Sequence, residues 1–202
     1  RFSVPVGENT DVPISSYKEN FRGAITYIKA NEPGKMEVAF QIMVPGFNYD
    51  LSHSGKGPSM GWSFFTSYNS EQANSLLEVN ASQRDKDFIL AVNWKMAEEL
   101  VKQGKGTPTK ASYRHNYLDE HTHTATSNTK ESVLVLEGKD YPGLLYYIPC
   151  PKSPHGVDVD PTGQYIVASG KLAAVLPVFS FANIQKAIAD KNYDGEVEGI
   201  PV

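Results

Sequence analysis

Short β-forming runs broken by Pro, Gly, Asn and Ser constrain this chain more than any other feature. Val38-Ala-Phe-Gln-Ile-Met-Val44, Trp62-Ser-Phe-Phe-Thr-Ser-Tyr68, Phe88-Ile-Leu-Ala-Val-Asn-Trp94, Val133–Leu136, Leu144–Ile148 and Tyr165–Ala168 are rich in β-branched and aromatic residues. Each is too short for a typical helix, and turn residues close most of them. Ala24–Ile28 is a weaker run of the same kind, bounded by Glu32-Pro-Gly34. Two stretches break the rhythm. Phe47–Gly61, rich in Ser, Gly and Asn, is predicted to be a loop, and Lys105–Lys130, rich in Thr, Lys and His, an exposed insertion.

Helical signals are few. Ser75–Glu78 suggests one turn, and Lys95–Gln103 suggests a short helix stopped by Gly104. Asn183–Asp190 suggests a second helix with Ser180 or Asn183 near its cap. Ala173–Phe181, with Pro177 inside it, suggests an edge or outer strand. The strand and helix at 88–104 are thus echoed by the strand and helix at 175–190. Repeated antiparallel sheets such as propeller blades, or an α/β sheet, both accommodate this order; the spacing favours the propeller.

With 202 residues, 40% hydrophobic and 21% charged, the chain has the composition of a globular domain. A net charge of −4 argues against nonspecific binding to nucleic acid or an anionic membrane. There is no apolar run long enough for a membrane span. One cysteine, Cys150, excludes an internal disulfide, and its place between Pro149 and Pro151 suggests a structural thiol. The chain opens at Arg1 without Met or a signal-peptide pattern and stops at Gly199-Ile-Pro-Val202 without a closing element; a mature product would fit, and a fragment of a larger protein is the favoured expectation.

The stretch with most chemical content is Lys152-Ser-Pro-His-Gly-Val-Asp-Val-Asp-Pro-Thr-Gly-Gln-Tyr-Ile-Val-Ala-Ser-Gly-Lys-Leu172. Pro154 fixes the backbone on one side of His155, and Gly156 permits close approach on the other. Val157–Val159 alternates as a strand does, Asp160-Pro-Thr-Gly163 forms a turn with Pro second, and Tyr165 resumes the strand. A histidine on rigid backbone suits a metal site, and it equally suits a structural turn.

The other histidines say less. His53 and His115 lie in polar loops, and His121-Thr-His123 lacks an apolar strand around it. Glu71 follows the strand ending at Tyr68, while Asp85 and Asp87 precede the next strand; Glu71 and either aspartate could converge on a hard cation such as calcium. Ordinary surface charge is the alternative. No EF-hand loop, phosphate-cradling glycine loop, G-x-S-x-G elbow or paired-cysteine zinc motif is present, and Lys171 has no partner that the sequence can name.

Taken together, Pro151–Leu172, Phe64-Phe-Thr-Ser-Tyr-Asn-Ser-Glu71, and Asp87–Trp94 with its following helix resemble nitrous-oxide reductase in order and approximate spacing. The wording Asn-Trp-Lys and Lys-Ser-Pro-His-Gly is closer to the divergent, atypical branch of that family. The resemblance runs from about Val38 to Lys191, with 105–130 poorly matched. It implies that residues 1–202 are the central part of an N-terminal seven-bladed β-propeller, an all-β fold of antiparallel blades with short connecting helices. It further implies a periplasmic homodimer that reduces nitrous oxide to dinitrogen and water in denitrification. Its histidine-ligated tetranuclear copper–sulfide centre is fed with electrons through a dinuclear copper site in a C-terminal cupredoxin domain of the partner subunit. A cytochrome or cupredoxin would supply those electrons.

By the same resemblance His155 matches a copper ligand, and Tyr68 (through its carbonyl), Glu71 and Asp87 match a calcium site. The departures are equally specific. The upstream double-histidine motif, the later copper-ligating histidines and the cupredoxin domain are absent from these 202 residues. Ser153 stands where the family often has Asn, and two extra residues between Glu71 and Asp87 keep Asp85 as a rival. His121 and His123 receive no ligand role. A chain with one copper ligand is expected to be inactive alone, and its cut sheet faces to make it unstable. A non-catalytic propeller or sandwich serving as a binding scaffold, or a small calcium-binding domain, are the competing expectations.

Overall fold

The computed structural model describes residues 2–6, 23–29, 37–44, 48–68, 87–113, 128–151, 154–170 and 173–202. In chain order the strands are β1 (Phe2–Val6), β2 (Gly23–Lys29), β3 (Glu37–Val44), β4 (Asn48–Ser54), β5 (Ser63–Tyr68) and β6 (Asp87–Val92), followed by helix α1 (Trp94–Lys102). Next come β7 (Thr107–Tyr113), β8 (Asn128–Glu137), β9 (Leu145–Cys150), β10 (Val157–Val159), β11 (Tyr165–Ala168) and β12 (Val178–Ser180). Helix α2 (Phe181–Asp190) and the pair β13 (Glu196–Val197) and β14 (Ile200–Pro201) complete the order. Residues 69–86, which include the helical turn expected at Ser75, lie outside the described residues.

The four-stranded antiparallel sheet β4-β5-β6-β9 is the middle layer. Its strand β6 is buried at every position, as its apolar run Phe88–Val92 demands of all but Asp87. Alternation then divides its side chains between two cores. Phe88, Leu90 and Val92 pack with Phe65, Tyr147, Ile25, Phe40, Ile42 and Leu136, toward the five-stranded sheet β1-β2-β3-β8-β7. Ile89 and Ala91 pack with Phe64, Tyr146, Val157, Val159, Ile166 and Ala168, toward the three-stranded sheet β10-β11-β12. A buried bond between Tyr27 Oη and Ser63 Oγ, 2.7 Å, ties the first pair of layers. Burial raises the Tyr27 phenol well above its ordinary range, so it stays protonated.

The helices each follow a strand and fill one core apiece. Asn93 caps α1 by accepting the Met96 N–H at 3.1 Å. Gly104 ends it, with its N–H on the Val101 carbonyl at 2.9 Å and the Lys105 N–H on the Leu100 carbonyl at 2.9 Å, a Schellman arrangement. Ser180, rather than Asn183, caps α2 and accepts the Asn183 N–H at 3.4 Å. Ala97 is buried in the first core, and Phe181 in the second. The strand–helix echo therefore holds, but of the edge strand expected over Ala173–Phe181 only Val178–Ser180 forms, as β12, with Pro177 ahead of it rather than inside it.

Several expectations need correction. The predicted loop at 47–61 contains β4, and the predicted insertion at 105–130 contains β7. Both are edge strands, so half of their backbone groups bond to a single neighbour and their side chains need not be apolar. Strands β3 and β8 pair in parallel, which departs from purely antiparallel blades. The chain's last residues are not featureless: β13 and β14 form a hairpin through Glu198 (φ 51°) and Gly199 (φ 79°), burying Ile200 in the first core. A mostly β fold of small, mainly antiparallel sheets with two short helices is what the described residues establish. A closed ring of blades is not among their features.

The turn between β10 and β11 forms as expected. The Gly163 N–H donates to the Asp160 carbonyl at 2.9 Å. The Asp160 carboxylate accepts from the Thr162 hydroxyl at 2.6 Å, the Thr162 N–H at 3.1 Å and the Tyr165 N–H at 2.9 Å. Chiefly the Thr162 hydroxyl, and then the Tyr165 N–H, hold its carboxyl down to about 2 from an ordinary 3.8. Because the folded value is the lower one, ionised Asp160 stabilises the fold above pH 3.8, and this contribution is lost as pH falls through about 2. Asp160→Asn is expected to lower Tm by a constant amount near neutrality, with the gap to the parent closing on acidification through that window. Melting curves of both proteins from pH 6 downward check it; a gap that widens on acidification would refute the role.

Candidate metal-binding end of the middle sheet

Tyr68 ends β5 and Asp87 begins β6, one residue beyond the Ser67–Phe88 pair, so the two lie at the same end of the middle sheet. Asp87 alternates with Ile89 and Ala91, which puts it on the face covered by the three-stranded sheet. It is buried, at 4% exposure. A buried carboxylate at a strand end is a hard oxygen donor held in place, as a calcium ligand must be. On its other side Asp87 pairs with Cys150 of β9.

Burial first, and the neighbouring Asp87 carboxylate second, push the Cys150 thiol up to about 12. The structural reading of Cys150 therefore gains a cause: at neutral pH it is a protonated thiol in an apolar setting. Alkylation by iodoacetamide at pH 8 is expected to run at least roughly tenfold slower in the native chain than in urea. Equal rates in the two states would mean that the thiol is not sheltered.

The His155 backbone, just ahead of β10, approaches the same face. The His155 side chain is exposed, whereas Pro154 before it is buried. Gly156 is held by Ser169: the Gly156 N–H donates to Ser169 Oγ at 2.6 Å, and the Ser169 N–H donates to the Gly156 carbonyl at 2.9 Å. Thr66, fully buried on β5, has its hydroxyl 3.4 Å from the His155 carbonyl. The same hydroxyl accepts the Leu51 N–H at 3.0 Å. Thr66 precedes Tyr68 by two residues on one face of the strand, roughly 7 Å along it. The fold thus gathers the His155 backbone, Thr66, the Tyr68 strand end, Asp87 and Cys150 at one end of one layer.

The expectation for Gly156 needs one change. A Cβ there would meet Ser169 Oγ at 3.4 Å, an ordinary contact, so close approach does not require glycine. In this stretch Gly163 is a position where it does, with a Cβ 1.8 Å from the Lys56 carbonyl oxygen.

Glu71, Asp85, His115, His121, His123, Ser153 and Lys171 lie outside the described residues. His53 is not in a loop but in β4, with Nδ1 2.9 Å from Asp158 Oδ1, and so links the middle sheet to β10. Among the described residues no three His, Cys, Asp or Glu side chains gather as a metal site. The donor set present fits a share of two sites: one imidazole on a braced loop for a softer metal, and a buried carboxylate beside a strand-end carbonyl for a hard one. A separate cavity of about 480 Å³, lined by Pro58, Gln164, Tyr165, Ser180, Phe181, Ala182 and Gln185, opens at the start of α2, at the far end of β11 from Ser169.

Sequence reasoning missed Thr66, Ser169 and the contact of Cys150 with Asp87. None carries a local signal, because each acts through a neighbour supplied by another strand.

No family model matches the chain. Among curated proteins it is 27% identical to nitrous-oxide reductase of Pseudomonas fluorescens over 179 residues, which is 86% of this chain and 24% of that protein. It is 28% identical to nitrous-oxide reductase of Stutzerimonas stutzeri over 171 residues, 84% of this chain and 23% of the relative. With nitrous-oxide reductase of Ralstonia nicotianae the identity is 28% over 186 residues, 91% of this chain and 25% of the relative. No helix among the described residues is long and apolar enough to cross a membrane. The chain spans about a quarter of the length of these curated relatives, and over most of its own length it is distantly similar to nitrous-oxide reductase.

Proposed function

We propose that this chain is part of a copper-dependent nitrous-oxide reductase and contributes one copper ligand, His155, together with part of a calcium site. The observation that carries the proposal is the similarity over 84% to 91% of the chain to three nitrous-oxide reductases. The fold supports it by bringing Tyr68, Asp87 and the His155 backbone to one end of the middle sheet, although they are far apart in sequence. Stacked sheets, the middle one apolar on both faces, also suit successive blades of a seven-bladed propeller. On this reading residues 1–202 are its central part.

The reaction of the full-length enzyme consumes nitrous oxide, two protons and two electrons, and yields dinitrogen and water. When bound, the tetranuclear copper–sulfide centre supplies the electrons and the soft metal surface that this inert gas requires. His155 contributes an imidazole from an exposed side chain, on a backbone held by Pro154 and by the hydrogen bonds to Gly156. Tyr68 through its carbonyl, Glu71 and Asp87 contribute oxygen donors for calcium, whose charge balances the buried Asp87 carboxylate. A cytochrome or cupredoxin would donate the electrons, and a dinuclear copper site outside these residues, in a periplasmic homodimer, would be their entry point. The isolated chain is inactive on this reading.

The test is metal content and gas consumption of the full native gene product, purified without oxygen after copper delivery. Several coppers and at least one calcium per chain, with nitrous oxide consumed, are expected. His155→Ala should abolish consumption and lower copper content. Calcium without copper, and no consumption despite confirmed copper delivery, would assign the chain to a non-catalytic β-scaffold.

A further inference from the structure

We infer that Ser169 is a positioning residue for His155, with Thr66 as its second anchor; this rests on the reading of His155 as a copper ligand. In the β10–β11 ladder Val157 pairs with Ala168, Asp158 with Val167 and Val159 with Ile166, so Gly156 and Ser169 occupy the next rung. On that rung one bond is the expected backbone one, Ser169 N–H to the Gly156 carbonyl at 2.9 Å. The returning Gly156 N–H finds the Ser169 side-chain oxygen, at 2.6 Å.

That substitution has a geometric consequence. Both polar backbone groups of Gly156 are taken by a single residue, so the rung is locked. Yet one of its bonds ends on a side chain, and the segment leaves the line of the sheet there. His155 is the next residue outward. Its carbonyl lies 3.4 Å from the hydroxyl of Thr66 on the neighbouring layer; that hydroxyl accepts the Leu51 N–H at 3.0 Å and shares its single proton between the His155 carbonyl and the Leu51 carbonyl, also at 3.4 Å. Pro154, buried on the other side, completes the hold. An exposed imidazole thus stands on a backbone restrained from three directions. Precise placement of this kind is what metal ligation requires of the residues behind a ligand.

In the full-length protein, Ser169→Ala is expected to speed hydrogen exchange of the Gly156 amide at least roughly tenfold while leaving exchange within β5 and β6 unchanged. It should also shift the His155 ring resonances and lower copper content several-fold at unchanged calcium content. Ser169→Thr, which keeps the oxygen, should restore copper. Thr66→Val should act in the same direction as Ser169→Ala but less strongly, and Thr66→Ser should match the parent. Unchanged Gly156 exchange and His155 resonances in Ser169→Ala would overturn the inference even in a copper-loaded enzyme. So would equal copper loss in Ser169→Ala and Ser169→Thr in step with lowered Tm, since that marks a general structural role. If the parent itself holds no copper while Gly156 exchange still responds, the ligand reading of His155 fails and the restraint on its backbone stands.

Discussion

Gly163→Ala is expected to destabilise the chain by about 3 kcal/mol or more, one of the largest effects of any single-methyl addition. Two costs combine. Gly163 has φ 73°, in the left-handed region where a side chain costs about 1 kcal/mol or more. An added Cβ would also lie 1.8 Å from the Lys56 carbonyl oxygen, inside any permissible contact. Relief by movement of that carbonyl is blocked. Ser59 Oγ donates to it at 2.9 Å, the Ser59 N–H donates to it at 3.0 Å, and the Gly55 N–H is held by the Trp62 carbonyl at 2.8 Å. The contact is reciprocal, because a Cβ on Gly57 (φ 51°) would meet the Thr162 carbonyl oxygen at 2.7 Å. Backbone packed on backbone at this corner joins the three-stranded sheet to the loop leading into β5. Gly156→Ala, where a Cβ makes only ordinary contacts, should cost no more than about 1 kcal/mol. Urea unfolding of both variants checks the pair, and similar losses in the two would refute the close contact at Gly163.

Phe64→Ala is expected to cost about 3–5 kcal/mol. Phe64 is wholly buried, and its ring stands edge-on to Phe181 at 6.3 Å and 86°. Trp62 meets Phe181 at 6.0 Å and Tyr146 at 6.1 Å, so Phe64 belongs to the aromatic contact that seats α2 and β10–β12 on the middle sheet. Phe65, its neighbour in sequence, faces the other core. Phe65→Ala should cost a similar amount but act elsewhere. Hydrogen exchange separates them: loss of Phe64 should loosen β10, β11 and α2 first, and loss of Phe65 should loosen β2, β3 and β8. The same protection pattern in both variants would mean that the two cores do not behave as separate layers.

Much of the fold was legible because apolar runs and turns act locally. Phe88–Val92 has enough apolar side chains to fill both faces of a central strand, and nothing except burial on both sides accommodates it. Asp160-Pro-Thr-Gly163 carries its own hydrogen-bonding side chains and its own left-handed residue, so its turn is encoded locally. Gly104 and Ser180 likewise end and begin their helices by local bonds. The family resemblance came from the same kind of information, three ordered stretches whose wording is local.

The edge strands were hidden for the opposite reason. In Asn48–Ser54 and Thr107–Tyr113 order comes from the backbone of the neighbouring strand, and their polar side chains announce only a loop. The parallel union of β3 with β8 joins residues more than ninety apart, and no local pattern encodes such a pairing. The candidate site divides in the same way. His155 stands out in the sequence between its proline and glycine, and Asp87, with Asp85 as its rival, stands at a strand start, whereas Tyr68 enters only through the family resemblance. That Cys150 flanks Asp87, that Thr66 reaches the His155 carbonyl and that Ser169 takes both polar groups of Gly156 depended on tertiary structure. Residue types and local turns are set by short-range sterics and hydrogen bonds. Which donor meets which acceptor across layers is set only when the two cores are packed.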